Sequence, residues 1–401
     1  MEAYIVDGIR TPVGNFGGAL STVRADDLAA LVIKKLVENN PSIPPADIDD
    51  VLIGCVNQAG DDNRNVARMA LLLAGLPFTI PGETINRLCA SGMSAIINAA
   101  RAIKAGDGKI FIAGGVENMT RAPWVTSKTS KPFGNDAQMF DSSFGWRFIN
   151  PAMHNMYGTD AMGVTAENLA EQYNISREDQ DLFAFNSQQK AVKAQRENRF
   201  DIEIVSVEIA VKNKESIIFS SDEFIKPHTS IEKLAQLRPA FKKDGGTVTA
   251  GNSSGINDGA AAIFIVGEDA LKQYNLTAKA RIVASAVVGV EPRIMGIGPV
   301  FATHKSLEKA GLSLADIDII ELNEAFAAQS LACIRLLGLQ DDDPRINING
   351  GAIALGHPLG MSGARIINSA AIQLKRDNKK YALITMCIGV GQGYAVIIER
   401  V

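Results

Sequence analysis

The chain has 401 residues, long for a single core, which points to two or three domains. Its hydrophobic share of 46% and charged share of 21% are ordinary for a globular protein, and a net charge of −4 leaves no general basic surface to hold nucleic acid. Cys55, Cys89, Cys333 and Cys387 lie far apart with no Cys-x-x-Cys, which argues against a zinc site and a disulfide framework and fits a reducing compartment.

In chain order, residues 1–20 give a strand and then a Gly/Pro loop from Gly8 to Gly18. The chain opens on the strand-like run Ala3–Val6, without the basic and apolar regions of a leader, and no apolar run is long enough to span a bilayer. The expectation is a cytoplasmic protein with no membrane partner. Helical periodicity runs from Ala25 to Val37, and Asp50–Gly54 has the pattern of a buried strand. A polar loop (60–65) and a helix over Val66–Ala74 lead to the stretch Asn86-Arg87-Leu88-Cys89-Ala90-Ser91-Gly92-Met93-Ser94. A short apolar approach enters this stretch and a helix pattern leaves it, so Cys89 stands where an extended segment becomes a helix. Unpaired N–H groups and the helix dipole favour a thiolate there, and the small neighbours admit a substrate. Cys89 is thus either a nucleophile or one more buried structural cysteine. The strand Lys109–Ala113 is expected to end at Gly114-Gly115.

The C-terminal part repeats this order. Ala315-Asp316-Ile317-Asp318 before Ile319–Leu322 echoes Ala46-Asp47-Ile48-Asp49, at 315 − 46 = 269. Gly360-Met361-Ser362 repeats Gly92-Met93-Ser94, at 360 − 92 = 268. Both tripeptides open small-residue helices (95–102 and 364–374), and the strand Tyr381–Met386 echoes 109–113. The pattern is a duplicated α/β half, and strands alternating with helices imply largely parallel sheets under helices. Residues from about Arg121 to Ala250 break the rhythm and read as an insertion packed over the site, with helices at 166–173 and 177–199. The Met and aromatic residues between Met139 and Tyr157 read first as small-core packing, with a substrate contact as the alternative. The cationic run Lys226, His228, Lys233, Arg238, Lys242 and Lys243 is either a phosphate holder or a solvated face.

Four further stretches carry chemistry. His357 lies on a glycine- and proline-bounded turn, Gly356-His357-Pro358, mirroring Cys89 in the other half; a cysteine and a histidine make a workable nucleophile and base. Cys387, in Thr385-Met386-Cys387-Ile388-Gly389, falls at the carboxyl end of a strand, where ligands of α/β sheets gather, and a second thiol can serve as general acid and base. Asn323, in Leu322-Asn323-Glu324-Ala325-Phe326, either caps the next helix or positions a water at the reacting carbonyl. Cys333 shares a helix face with Phe326, Ser330 and Leu337 and reads as core, as does Cys55. The small-residue turn Gly246–Ala260, which includes Ser254, lacks a P-loop ending. It is either a ligand-lining backbone or a tight corner.

Taken together, these stretches resemble the thiolase family from about residue 3 to 400: Cys89 in Cys-x-Ser-Gly, Asn-Glu-Ala-Phe at 323–326, Gly-His-Pro at 356–358 and Cys-Ile-Gly at 387–389. Within it the chain looks closest to the β-ketoadipyl-CoA (3-oxoadipyl-CoA) thiolases, on Asp62–Met69, Gly145–Pro151 and Thr385–Gly393. The resemblance implies an α/β thiolase fold with two duplicated βαβαβαββ-type halves in five α-β-α-β-α layers. It divides the chain into an N-terminal half at 1–121 plus 251–274, a loop domain at 122–250 and a C-terminal half at 275–401.

The resemblance also implies a ping-pong acyltransferase. Cys89 attacks the 3-oxo carbon of a 3-oxoacyl-CoA; His357 activates the thiol and helps hold the thioester oxyanion. Cys387 protonates the departing acetyl-CoA carbanion and then deprotonates the CoA that takes the acyl group. Asn323 holds a water in one oxyanion hole, the N–H groups of Cys89 and Gly389 form the other, and Ser254 meets the pantetheine arm. No metal or bound cofactor is implied: CoA is a co-substrate, and the partners are 3-oxoacyl-CoA, acetyl-CoA and further copies of the chain in a homotetramer. The residues meeting the CoA phosphates stay open, since Ile225-Lys226-Pro227-His228 is no clear match to the arginine of biosynthetic relatives. The expected reaction is cleavage of 3-oxoadipyl-CoA to succinyl-CoA and acetyl-CoA, in aromatic-compound catabolism. Arg147 is the candidate for the substrate's free carboxylate, against a salt bridge within the loop domain. The alternatives are an acetyl-CoA acetyltransferase or a broad 3-ketoacyl-CoA thiolase of fatty-acid metabolism. Ketosynthase-type condensing enzymes lack the second cysteine.

Overall fold

The computed structural model describes residues 1–401. The N-terminal strands are β1 (Ala3–Arg10), β2 (Asp50–Gly54), β3 (Gly82–Ile85), β4 (Ile110–Asn118) and β5 (Asn257–Gly267). The C-terminal strands are β6 (Ala280–Gly289), β7 (Ile319–Leu322), β8 (Tyr381–Ile388) and β9 (Gln392–Arg400). With the short Gly14–Asn15 segment on β5, they form one 10-stranded sheet in the order β7-β8-β9-β6-β1-β5-β4-β2-β3. The first strands of the halves join it, through Tyr4 opposite Arg281 and Ile5 opposite Ala280.

The expectation of largely parallel sheets is corrected. Only β2–β3, β2–β4 and β7–β8 pair in parallel, while β1–β5, β5–β4, β1–β6, β6–β9 and β8–β9 are antiparallel. Each half closes on a hairpin of two largely buried strands, and alternation with helices stops before that hairpin. In the C-terminal half the hairpin is tight, β8–β9 around Gly389-Val390-Gly391. In the N-terminal half the equivalent pair β4–β5 is separated by residues 119–256, so the insertion occupies the place of that turn.

Helices cover this sheet according to their apolar stripes. In the N-terminal half they are α1 (Ala25–Asn39), α2 (Val66–Leu73) and α3 (Ser91–Ala105). The insertion contributes α4 (Met162–Gln172) and α5 (Arg177–Arg196). The C-terminal half adds α6 (Gly298–Ala310), α7 (Ala327–Leu336) and α8 (Leu359–Arg376). Acidic Asp26 and Asp27 favour the start of α1, and left-handed Gly106 and Gly311 close α3 and α6. Helices α3 and α8 form a middle layer, burying Ile96, Ile103, Ile367 and Leu374 against Ile263 and Phe111 of one half and Ile384 and Ile398 of the other. Helices α1 and α2 cover the outer face of the first half over Ile53, Ile112 and Phe264. Helices α6 and α7 cover the second over Ile320, Leu383 and Ile397. The result is five layers, α-β-α-β-α.

Strand β4 does not stop at Gly114-Gly115 but runs to Asn118. The glycines are there because backbone passes too close for a side chain. A Cβ on Gly114 would lie 2.0 Å from the Ala261 carbonyl oxygen, and one on Gly115 would lie 1.8 Å from that of Gly360 at the start of α8. On the facing helix a Cβ on Gly92 would lie 2.5 Å from the same Gly360 oxygen. These contacts form a seam that brings the first turns of α3 and α8 together. Within the insertion, α4 begins four residues earlier than its sequence pattern suggested, at Met162. The Met and aromatic residues of 139–157 do not make a small core. Met139, Phe144, Met156 and Tyr157 are 64%, 60%, 68% and 48% exposed. No helix is long and apolar enough to cross a membrane.

Candidate active site

Cys89 lies on a tight turn between β3 and α3. Leu88 takes the left-handed conformation, φ 46°, rare for a branched side chain. Ser91 locks the turn: its hydroxyl donates to the Leu88 carbonyl at 2.6 Å and accepts from the Arg87 N–H at 2.9 Å. Helix α3 starts only at Ser91, with no side-chain cap. The expected thiolate is therefore not the resting form. Loss of hydration pushes the Cys89 thiol above its ordinary 9.0, against the opposing pull of the Gly389 N–H and of Cys89's own N–H. A nearby general base is needed to use this thiol.

His357 lies at the equivalent place before α8. Its turn is set by Gly356, at φ 94°, where a Cβ would meet the Asn257 side chain at 2.6 Å. The Asn257 Oδ1 accepts the His357 N–H at 2.9 Å. Nδ1 of the ring lies 2.6 Å from the Ser362 hydroxyl, and Nε2 lies 3.4 Å from Nδ2 of Asn323. Burial, with the Arg365 guanidinium nearby, holds the imidazole down to about 3, so it is neutral at ordinary pH. Asn323 does not cap α7, whose N-cap position is Phe326. Its backbone N–H is tied to the Thr385 carbonyl of β8, and its Oδ1 is buried with no partner, free for a water.

Cys387 ends β8 at 1% exposure, packed with Met295, Phe326 and Leu169 of α4. Burial, then the neighbouring Cys89, push its thiol well above 9.0, so it keeps its proton. The insertion thus reaches the site through α4: a Cβ on Gly389 would lie 3.3 Å from Leu88 and 3.8 Å from the Met162 sulfur. Beneath the two helix starts, buried Glu117 accepts the N–H groups of Val56, Asn57 and Gly360, and burial raises its carboxyl to about 7.

The outer residues divide. Half-buried Arg147 donates to the Ser142 carbonyl at 3.3 Å, and no carboxylate lies within ion-pair distance of it, so the salt bridge weighed from sequence is not formed. Its neighbour Trp146 lines a small pocket with Met162, Arg293 and Val390, one residue past Gly389. Half-buried Ser254 donates its N–H to the Ala325 carbonyl, in the segment that carries Asn323. The cationic residues of 226–243 are exposed; Lys242 pairs with Glu171 at 3.2 Å, and Lys226 lies over the Phe224 ring at 4.6 Å. Cys333 is core, donating to the Gly296 carbonyl at 3.1 Å, and Cys55 is buried 3.8 Å from Asp62.

A thiol on a strained turn at a helix start, a neutral imidazole held by an asparagine and a second buried thiol are the groups that acyl transfer needs, on a duplicated α/β fold. Comparison with known proteins gives the same answer. The model of the thiolase N-terminal domain matches residues 3–269 and that of the C-terminal domain matches 276–400. The chain belongs to the thiolase family. This thiolase is 58% identical over 402 residues to the 3-oxoadipyl-CoA/3-oxo-5,6-dehydrosuberyl-CoA thiolase of Escherichia coli (strain K12), covering all of both chains. It is 57% identical over 400 residues to a beta-ketoadipyl-CoA thiolase of Acinetobacter baylyi, again over all of both. Among solved structures it matches the acetyl-CoA acetyltransferase of Bacillus anthracis with a TM-score of 0.92 and 41% identity, over 100% of this chain and 99% of that one. The enzyme is an acyltransferase.

Sequence reasoning missed several residues of this thiolase's site. Ser362 was visible as part of the repeated Gly-Met-Ser, five positions after His357, but read only as a helix opener. Asn257 and Glu117, which hold backbone around His357, carry no local pattern. Met162 gave no signal, because its approach to Gly389 depends on how the insertion folds back.

Proposed function

We propose that the enzyme cleaves 3-oxoadipyl-CoA with CoA to succinyl-CoA and acetyl-CoA, through an acyl group on Cys89. The observation that carries the chemistry is the neutral His357 ring, held between Ser362 and Asn323, on the turn that repeats the Cys89 turn across the glycine seam. His357 Nε2 takes the Cys89 proton as the sulfur attacks the 3-oxo carbon, and the N–H groups of Cys89 and Gly389 hold the resulting oxyanion. The Cα–Cβ bond then breaks, the electron pair goes to the acetyl-CoA carbon with its charge shared by the thioester oxygen, which His357 and the Asn323-held water hold, and Cys387 supplies the proton to the carbon. A thiol held well above 9.0 suits that step, because it arrives protonated at neutral pH. CoA, deprotonated by Cys387, attacks the Cys89 thioester, whose oxyanion meets the N–H groups of Cys89 and Gly389. Ser254 meets the pantetheine arm, and CoA is a co-substrate in a mechanism that needs no metal.

The 57–58% identity to proteins named for 3-oxoadipyl-CoA supports the substrate. Arg147 is the candidate for its free carboxylate, supported by a guanidinium without an acidic partner next to Trp146, which shares a small pocket with Met162 and Val390. Residues 122–250 form the loop domain between halves at 1–121 plus 251–274 and 275–401, and four copies assemble as a dimer of dimers. The reading places the enzyme in the cytoplasm, whose reducing pool keeps both cysteines as thiols. The test is kcat/KM for thiolysis of 3-oxoadipyl-CoA, acetoacetyl-CoA and a longer unsubstituted 3-oxoacyl-CoA. A preference for the dicarboxylic substrate of at least about tenfold, lost in Arg147→Ala, is expected. Equal use of the three would discard the substrate and keep the mechanism, and an unchanged preference in Arg147→Ala would discard the anchor.

A further inference from the structure

The Ser362 hydroxyl has two neighbours and one proton. It lies 2.8 Å from the carbonyl oxygen of Pro358, one turn back on α8, and 2.6 Å from His357 Nδ1. A carbonyl oxygen can only accept, and a serine has a single O–H to give. If that O–H pointed at the ring, the hydroxyl and carbonyl oxygens would face each other at 2.8 Å with no proton between them. Ser362 is fully buried, where such a repulsion is not screened. The O–H therefore goes to Pro358, and the ring nitrogen must be the donor. On the other side of the ring Nδ2 of Asn323 lies 3.4 Å from Nε2, a long contact that agrees with a lone pair there and leaves it available to the nucleophile.

We propose that Ser362 is a positioning residue that fixes His357 as the Nδ1–H tautomer, so that the Nε2 lone pair always faces the nucleophile. The inference rests on the reading of His357 as the base for Cys89. A neutral imidazole has two tautomers, and only one has a base on the substrate side. A carboxylate partner would fix the same tautomer but would also favour the charged ring. A hydroxyl fixes it without adding charge, and the charged group beside His357, Arg365 on the same helix, works against protonation as well.

The direct test is a two-bond 1H–15N correlation spectrum of 15N-histidine-labelled wild-type enzyme near pH 7.5. The chain has only 4 histidines, and the signal of His357 is assigned by its absence in His357→Asn. The expected result is a protonated Nδ1 and a bare Nε2; a protonated Nε2 in the wild type overturns the proposal, whatever any variant does. In Ser362→Ala the tautomer is expected to shift toward Nε2–H, with kcat falling about 10–100-fold and KM little changed, while Ser362→Thr, which retains the hydroxyl, keeps the tautomer. A Ser362→Ala enzyme that is folded by thermal unfolding but shows an unchanged tautomer also overturns it. If instead His357→Asn leaves kcat intact, it is the assignment of the base that fails.

Discussion

The Cys89 turn and the His357 turn are the same piece of structure used twice. Both residues stand three positions before a Gly-Met-Ser, and both follow a residue at positive φ, Leu88 at 46° and Gly356 at 94°. Both turns lead into the middle-layer helices, and the serine of each tripeptide reaches back. Ser94 accepts from the Arg87 guanidinium at 2.8 Å, whereas Ser362 holds the His357 ring. What differs is the residue at the apex and the loop beside it. In the second half a three-residue turn, Gly389-Val390-Gly391, lies beside Leu88; in the first, the place of that turn is taken by an insertion of more than a hundred residues that supplies Met162. On the proposed assignment, one backbone solution, docked against its own copy, suits both a nucleophile and its base. The division of labour needed only a change of side chain at one end and a change of loop at the other.

The largest effect should come from exchanging the apex residues for inert ones. Cys89→Ala is expected to lower thiolysis by more than about 10³-fold, and His357→Asn by about 10²–10⁴-fold, in a steady-state thiolysis assay. A Cys89→Ala enzyme with measurable turnover would show that the two turns are not functionally distinct. Next is the turn geometry. Gly356→Ala meets both an unfavourable φ and the Asn257 side chain, and should lower unfolding free energy by about 2–4 kcal/mol, read as a fall in denaturant midpoint. A change under about 0.5 kcal/mol would mean that this turn is as tolerant as the one at Leu88.

The two apex residues should also differ in pH response. His357 binds its proton less readily folded, near 3, than unfolded, near 6.5, so the unfolded chain carries more protons across that window. Its contribution therefore favours folding increasingly as pH rises from about 3 to 6.5 and is lost as pH falls through that range. Stability of His357→Asn, measured by denaturant unfolding against the wild type, should depend less steeply on pH there, and an identical slope would contradict the burial of a neutral ring. Cys89, resting as a thiol, should react with iodoacetamide about tenfold faster per pH unit between pH 6 and 8, without the plateau of a preformed ion pair. The smallest effect belongs to a cysteine outside both turns. Cys333→Ala should cost at most about 2 kcal/mol of stability and leave kcat within about twofold.

Much of this was legible in the chain. The duplication survives as Gly-Met-Ser and Ala-Asp-Ile-Asp at nearly one offset, because the two middle helices approach through small residues, and Asp49 and Asp318 each accept the N–H groups at the entry of a neighbouring strand. Cys89, His357, Asn323 and Cys387 stood at strand ends and helix starts that could be seen as such. What could not be read depended on three-dimensional approach. The run through Gly114-Gly115 looked like a strand end, although both glycines are there because β5 and α8 pass against them. The helix-start argument for a Cys89 thiolate counted the dipole but not the desolvation, which runs the other way. The exposed Met and aromatic residues of 139–157 have core-like composition, and only the fold shows that they face outward.

The glycine seam has a consequence for inheritance. No other residue lacks a Cβ, so every missense change at Gly115 or Gly92 places a carbon where the Gly360 carbonyl oxygen already lies. These positions are closed to neutral drift, while the surfaces of the two halves remain open to it. The halves can diverge in outer helices, loops and apex residues for as long as the seam is copied faithfully. A hybrid built from the halves of two distant lineages should therefore dock, or fail to, according to the residues that line this seam.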